Sequence, residues 1–341
     1  MPKALLRPVF VVALATALTG CVFQEKVESF GGPTMGSTYS VKYVAGDSAV
    51  SKEQLRNETD AILAEIDRQM STYRADSDIE TFNALPAGAC MAMPEGVIEL
   101  LRAGQQLSEE SEGAFDLTVE PLLNLWGFGP QGAGERIPSA DEIAQARKNM
   151  GHRHLRVEGE QVCKDVAVQV DFNSIAAGYA VDRVTENLEA SGVRRYLVEI
   201  TGELKALGRK PDGAPWRIAI EAPHDNERVA QRIVELDGLG VSTSGDYRNY
   251  FERDGKRYSH TLDPLTGAPI DHRLAAVTVV DSSTLRADGL STVLMVLGPE
   301  RGLEYATERN IAAFFVIREE QKFISKSTQA FDELFGAGVG E

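Results

Sequence analysis

The sequence predicts an α+β protein in which largely antiparallel sheets are flanked by helices. Two observations carry this expectation. Short alternating segments such as TYSVKYV at 38–44 and the arms of NYFERDGKRYSHTLD at 249–263 suit antiparallel pairing. Helical periodicity comes in separate blocks, not in the regular strand and helix alternation of a wound parallel sheet. No fixed-period repeat is present.

Taken in order, MPKALLRPVFVVALATALTGC has two cations (Lys3, Arg7), an apolar run from Val9 to Leu18 and small residues before Cys21. The run is shorter than the ~20 residues needed to cross a bilayer, so it reads as a secretory signal. Its LTGC ending resembles the bacterial lipobox, in which the cysteine is acylated and becomes the new N-terminus, so Cys21 is the expected lipid anchor of an otherwise soluble chain. Residues 1–20 are then a signal peptide, 21–30 a tether, 31–336 the folded unit and 337–341 a tail.

Within the folded unit, Leu55, Ile62, Ile66 and Met70 share one face of a helix. A second helix fits VIELLRAGQQL at 97–107, and GFGPQGAGERIPSADE at 127–142 reads as a long loop. VAVQV at 166–170 reads as a strand and Ile175 to Leu188 as a helix. RRYLVEI and WRIAIEA follow as strands. Asp254-Gly255 forms the two-residue turn of a hairpin. AAVTVVD, the helix ADGLSTVLMVLG, a helix around Glu300 to Glu308 and the strand IAAFFVI complete the fold.

The net charge of −16 grows more negative once Lys3 and Arg7 are removed, which disfavours nucleic acid as a partner. Beyond Cys21 only Cys90 and Cys163 remain; sequence alone leaves open whether they pair. There is no GxxxxGK[ST], no GxGxxG between strand and helix, and no zinc-type Cys/His cluster.

Chemistry therefore rests on short segments dense in Gly, Ser, Thr and Asp. Asp288 and Thr292 lie one helical turn apart, either as dipole and back-bonding residues or as hard-cation ligands. DFNSIAAGYAVD opens a helix with small residues, where free N–H groups suit phosphate. Met35, Tyr73 and Phe115 are candidate walls for a flat ring, while Asp116 and Asp171 serve either as caps or as hydrogen-bond acceptors for a heterocycle or ribose. His260, beside the DPLTG turn, is either a strand histidine or a general base.

Together STYRADS, GAFDLTVEPLLNLWGFGP, STSGDYRNYFERDGKRYSHTLDPLTGAPI and ADGLSTVLMVLG resemble the ApbE family, the FAD:protein FMN transferases. The resemblance implies an ApbE-like (T-fold-like) two-lobed single unit over 31–336. It also implies an activity that splits FAD, joins FMN through a phosphoester to a threonine or serine of a target protein, and releases AMP. Implied targets are flavoprotein subunits of membrane electron-transfer complexes such as NADH:quinone oxidoreductases, reached from the periplasmic face of the inner membrane. By the same resemblance, Asp288, Thr292 and a backbone carbonyl at Ser174 hold Mg2+. Met35, Tyr73, Ala114, Phe115, Asp116, Asp171, Ala177 and Leu262 contact FAD, and His260 is the base.

Two departures stand out. Many relatives have DLGGIAKG where this chain has DFNSIAAG, so a lysine contact is missing at Ala177, and the usual glycine pair becomes Thr201-Gly202 in EITGELKALG. Two alternatives to transfer are a periplasmic FAD pyrophosphatase and a non-catalytic flavin-binding lipoprotein. Tyr73 bears on the first, because an aromatic covering the flavin limits access of water.

Overall fold

A computed structural model describes residues 25–132, 134–223, 229–247, 249–320 and 322–337; the signal segment and Cys21 lie outside the described residues. Its centre is one eight-stranded sheet in which every neighbouring pair is antiparallel. The strands are β1 (Lys26–Thr34), β2 (Ser37–Ala45), β3 (Tyr196–Ile200), β4 (Glu203–Leu207), β5 (Leu239–Gly245), β6 (Leu274–Asp281), β7 (Ala312–Glu319) and β8 (Lys322–Ser327). They lie side by side in chain order, so the sheet is a simple meander and everything else is an excursion from it.

The longest excursion, between β2 and β3, carries helices α1 (Lys52–Met70), α2 (Asp78–Asn83), α3 (Glu95–Glu110), α4 (Glu120–Trp126), α5 (Ala140–Ala146) and α6 (Ala176–Ala190). Helix α7 (Thr284–Glu308) joins β6 to β7, and α8 (Gln329–Phe335) follows β8. A ribbon of Trp216–Glu221 paired with Ala230–Leu236 leaves the sheet between β4 and β5. The mixed architecture with mainly antiparallel pairing agrees with the sequence expectation.

Two apolar layers hold these parts together. One lies between the sheet and α1, α3, α6 and α7; the other lies between the opposite sheet face, the ribbon and α8. In β7, Ala313, Phe315 and Ile317 enter the first layer, and Ala312, Phe314 and Val316 enter the second. Because both faces of the strand are covered, IAAFFVI is continuously apolar instead of alternating.

The Asp254-Gly255 hairpin forms as expected, with both turn residues at positive φ (54° and 75°) between Tyr250–Arg253 and Lys256–Ser259. The helix from 284 to 308 contains the break between the two predicted helical stretches, at Gly298 (φ 78°) before Pro299. Cys90 and Cys163 face each other across a small sheet and form a disulfide. Their separation of 73 residues makes this a long-loop closure of the kind that contributes about 2–4 kcal/mol.

Two expectations need correction. VAVQV forms no ladder and turns at its start, where the Val168 N–H donates to the Val166 carbonyl. Its Val170 N–H donates to Asn83 Oδ1, the Val170 carbonyl accepts from Asn83 Nδ2, and the Val168 carbonyl accepts from the buried Lys164 ammonium. Side chains thus replace a partner strand, which alternation of apolar residues cannot reveal. The tether is also shorter than expected, because Lys26–Thr34 pairs along its whole length with β2 and buries Phe30 edge-on against Tyr39 and Tyr43. Within the expected loop 127–142, the last residues begin α5 through a Ser139–Glu142 capping box.

Helices α6 and α7 pack closely at Gly178. A Cβ there would lie 2.4 Å from the Thr284 carbonyl oxygen and 2.7 Å from Asp288 Cβ. Alanine normally stabilises a helix interior relative to glycine by about 0.5–1 kcal/mol, but overpacking against fixed backbone costs about 1–3 kcal/mol. Gly178→Ala should therefore lower stability in urea denaturation, opposite to its helix propensity; an unchanged or higher midpoint would contradict this packing.

Candidate active site

A cleft of about 720 Å³ opens where the ends of several excursions meet the central sheet. Ala114, Phe115 and Asp116 reach it from the segment after α3, Asp171 and Ser174 from the turn before α6, and His260 and Leu262 from the segment after the DG hairpin. Asp288 and Thr292 reach it from α7. The structure thus gathers most of the expected site residues from widely separated positions.

Met35, Tyr73 and Ala177 do not line this cleft. Met35 occupies the β1–β2 turn at φ 45° and packs against the helix-side core. Tyr73 is 68% exposed, and its phenol pKa is raised by partial burial and by the charges of Asp171 and Glu120, which places it towards the Asp171 end of the cleft. Ala177 is buried in the first turn of α6. Its methyl group offers no donor, and the N–H of the next residue, Gly178, is already given to Asp288 Oδ2 at 2.9 Å. That helix start, expected to present free N–H groups to phosphate, thus spends one of them on a carboxylate.

Asp288 is the most constrained charge in the site. Besides Gly178, its Oδ1 accepts from Ser242 Oγ at 3.1 Å, and the same hydroxyl lies 3.5 Å from Glu203 Oε1. Burial, then the nearby Glu203 carboxylate, pushes the Asp288 carboxyl well above its ordinary range; burial also raises Glu203. Two carboxyl groups bridged by one hydroxyl in a dry environment favour a positive charge between or beside them. With Thr292 and Ser174 on the same cleft, the donor set is all oxygen. Among the described residues no group of three or more His, Cys, Asp and Glu side chains is placed to hold a metal ion. Such a sparse oxygen set fits Mg2+, which keeps water or phosphate in its shell, and does not fit zinc.

Glu203, Ser242 and Asn249 were not singled out from sequence. Glu203 follows the altered glycine pair, whose geometry is now clear. Thr201 and Gly202 both have positive φ (55° and 121°) at the β3–β4 turn, and Thr201 Oγ1 donates to Glu203 Oε2 at 2.9 Å. The threonine thus takes a backbone conformation suited to glycine while its hydroxyl holds the second carboxylate.

His260 is half-buried, edge-on to Phe128. Its Nδ1 lies 2.9 Å from the Asn249 carbonyl oxygen, which fixes the tautomer with Nδ1 as donor and leaves the Nε2 lone pair as acceptor. Burial pushes the imidazole below its ordinary value, against the opposing influence of the Asn249 carbonyl and Asp246. A neutral imidazole with one nitrogen occupied and the other available is a base.

The Asp171 end of the cleft has its own electrostatics. Asp171 is pushed up to about 6 by burial, although both its oxygens accept hydrogen bonds from Asn173. Beneath it the fully buried Glu120 is pushed to about 8, chiefly by burial and then by Asp171. Asp116 accepts from the Thr118 N–H and hydroxyl and from the His152 N–H, so it caps a turn as well as lining the cleft.

Comparisons with known proteins show the family of the chain. The ApbE family model matches residues 35–315. An FAD:protein FMN transferase of Vibrio cholerae is 41% identical, covering 94% of this chain and 97% of the relative. One from Haemophilus influenzae is 39% identical over 97% of this chain and 98% of its own. The crystal structure of Pseudomonas stutzeri flavinyl transferase ApbE, in its apo form, superposes with a TM-score of 0.88 at 70% identity, covering 93% of this chain and 99% of that one. With its site residues gathered on one cleft and these matches over nearly its whole length, the chain belongs to the ApbE family.

Proposed function

We propose that the protein catalyses Mg2+-dependent transfer of FMN from FAD to a threonine or serine of a target flavoprotein, releasing AMP. The observation that carries this reading is the presence on one cleft of an imidazole with an available Nε2 and a buried carboxylate pair that favours a cation. The named activity of the relatives supports it.

Asp288 and Thr292, with the Ser174 carbonyl and the neighbouring Glu203, would hold Mg2+ against the FAD diphosphate. Bound there, the ion would neutralise charge on the phosphoryl oxygens and on departing AMP. The chain's own groups do the rest. His260 Nε2 accepts the proton of the target hydroxyl as its oxygen bonds to the FMN phosphorus and the bond from that phosphorus to the AMP oxygen breaks. Asn249 keeps the imidazole oriented throughout. Phe115 and Leu262 supply apolar contact for the flavin, with Asp116 and Asp171 as polar partners and Tyr73 beyond the cleft at the same end.

The signal segment and its LTGC ending support a periplasmic, lipid-anchored protein, most naturally on the inner membrane beside flavoprotein subunits of electron-transfer complexes. No helix among the described residues is long and apolar enough to cross a membrane. An FAD pyrophosphatase differs from this reading only in the attacking group. Incubation with FAD and Mg2+, with and without a target subunit, separates them. Transfer gives a covalently fluorescent target and AMP that depends on it, whereas equal AMP without the target supports hydrolysis.

Removing the base should slow transfer by about 10²–10⁴-fold, so His260→Ala should lose that much kcat while keeping its circular dichroism and FAD affinity. Undiminished turnover would exclude the imidazole from the reaction. The pH profile should carry the same signature. The base works when neutral, and burial lowers its pKa, so kcat/KM should persist as pH falls through 6.5 and decline only below it. A decline centred above 6.5 would contradict the assigned environment of His260.

A further inference from the structure

We infer that Asp182 is a positioning residue for the cation site: paired with Lys205, it braces α7 against β4 and keeps Asp288 and Glu203 within reach of one ion. The inference rests on the cation reading of that carboxylate pair and concerns what sets its spacing.

Asp182 and Asp288 make reciprocal contacts between α6 and α7. Gly178 and Asp182 are one turn apart on α6, and Thr284 and Asp288 are one turn apart on α7. The Gly178 N–H, in the first turn of α6, donates to Asp288 Oδ2. In return, Asp182 Oδ1 accepts from the Thr284 N–H and Asp182 Oδ2 from the Leu285 N–H, both at 3.0 Å, in the first turn of α7. Each helix therefore satisfies N–H groups that have no acceptor within the other helix. Ser283, the N-cap of α7, donates its hydroxyl to Asp182 Oδ2 at 3.0 Å while accepting from the Arg286 N–H.

A third element closes the brace. Lys205 Nζ lies 2.9 Å from Asp182 Oδ1. On β4 it is two residues from Glu203 and so belongs to the same face of the strand. Lys205 also pairs across the sheet with Gly240 of β5, where a Cβ would lie 2.4 Å from Thr284 Oγ1, so the first turn of α7 rests on that point of the sheet. The carboxylates of Asp288 and Glu203 belong to separate elements, and their mutual repulsion pushes α7 away from β4. Asp182 is buried and holds both elements, so it opposes that movement. With an ammonium, a hydroxyl and two N–H groups around it, Asp182 is satisfied without an ion, and its part is to hold rather than to ligate.

The test is calorimetric titration of Mg2+ into the whole protein without FAD, comparing the native chain with the double variant Asp182→Asn/Lys205→Met. Removing one anion and one cation together leaves the long-range field at the site almost unchanged, so a change in affinity reports position. The inference expects the Mg2+ Kd to rise about tenfold or more, as is usual when groups that orient metal ligands are lost. Native Kd in the folded double variant overturns it. Phe331→Ala removes a buried ring from the apolar layer on the opposite sheet face and lowers stability away from the site. It should lower Tm and leave the Mg2+ Kd unchanged; an equal rise in Kd there would reduce the brace to general stability and overturn the inference. If the double variant does not fold, Ser283→Ala decides, with a rise in Kd of about threefold expected and no rise overturning the inference. Native protein that takes up no Mg2+ overturns the cation reading and the inference with it.

Discussion

The site depends on one constraint: the Asp288 carboxylate is buried where α6, α7 and β5 converge. Helix α6 comes within reach because position 178 has no side chain, and its N–H then takes one carboxylate oxygen. Ser242 on β5 takes the other and brings Glu203 close. Ser291 reinforces the arrangement by donating to the Asp288 carbonyl while approaching Ser242 and Ser244. This polar knot sits between helices that otherwise bury apolar surface, and its unrelieved repulsion is what a divalent cation would remove.

Around that knot the meander has a functional logic. Because neighbouring strands follow one another in sequence, each connection can lengthen without disturbing the sheet, and the long connections supply the cleft walls. The segment after α3 and the turn before α6 provide the end lined by Asp116 and Asp171; the segment after the hairpin brings His260; the ribbon after β4 forms the remaining side. The small apolar cluster of Leu122, Trp126, Phe251 and Leu262 ties α4 to the hairpin and its following segment, which fixes His260 relative to the Asp116 and Asp171 end of the cleft.

Much of this was legible in the sequence where a local rule decides the outcome. Asp254-Gly255 specifies its turn by positive φ, Gly298-Pro299 marks a helix break, and Asp288 and Thr292 share a helix face. The alternation of VAVQV suggests a strand, but Asn83 and Lys164, distant in sequence, satisfy its backbone instead. The early start of β1 was missed because pairing with β2, not the composition of KVESFGGPT, makes it a strand. Glu203 was overlooked for a similar reason. Its significance comes from Ser242 across the sheet and from Thr201 beside it, and only the unusual TG pair hinted at that turn. Met35 and Tyr73, candidate walls for a flat ring by residue type, and Ala177, implied by the resemblance alone, do not line the cleft.

Calorimetric titration of Mg2+ in the absence of FAD, with thermal unfolding as a second readout, tests most directly whether the buried carboxylate pair binds a cation. Saturable binding that raises Tm, and that disappears in Asp288→Asn, is the predicted result. Absence of any Mg2+ response in the native protein, or an undiminished response in Asp288→Asn, would contradict it.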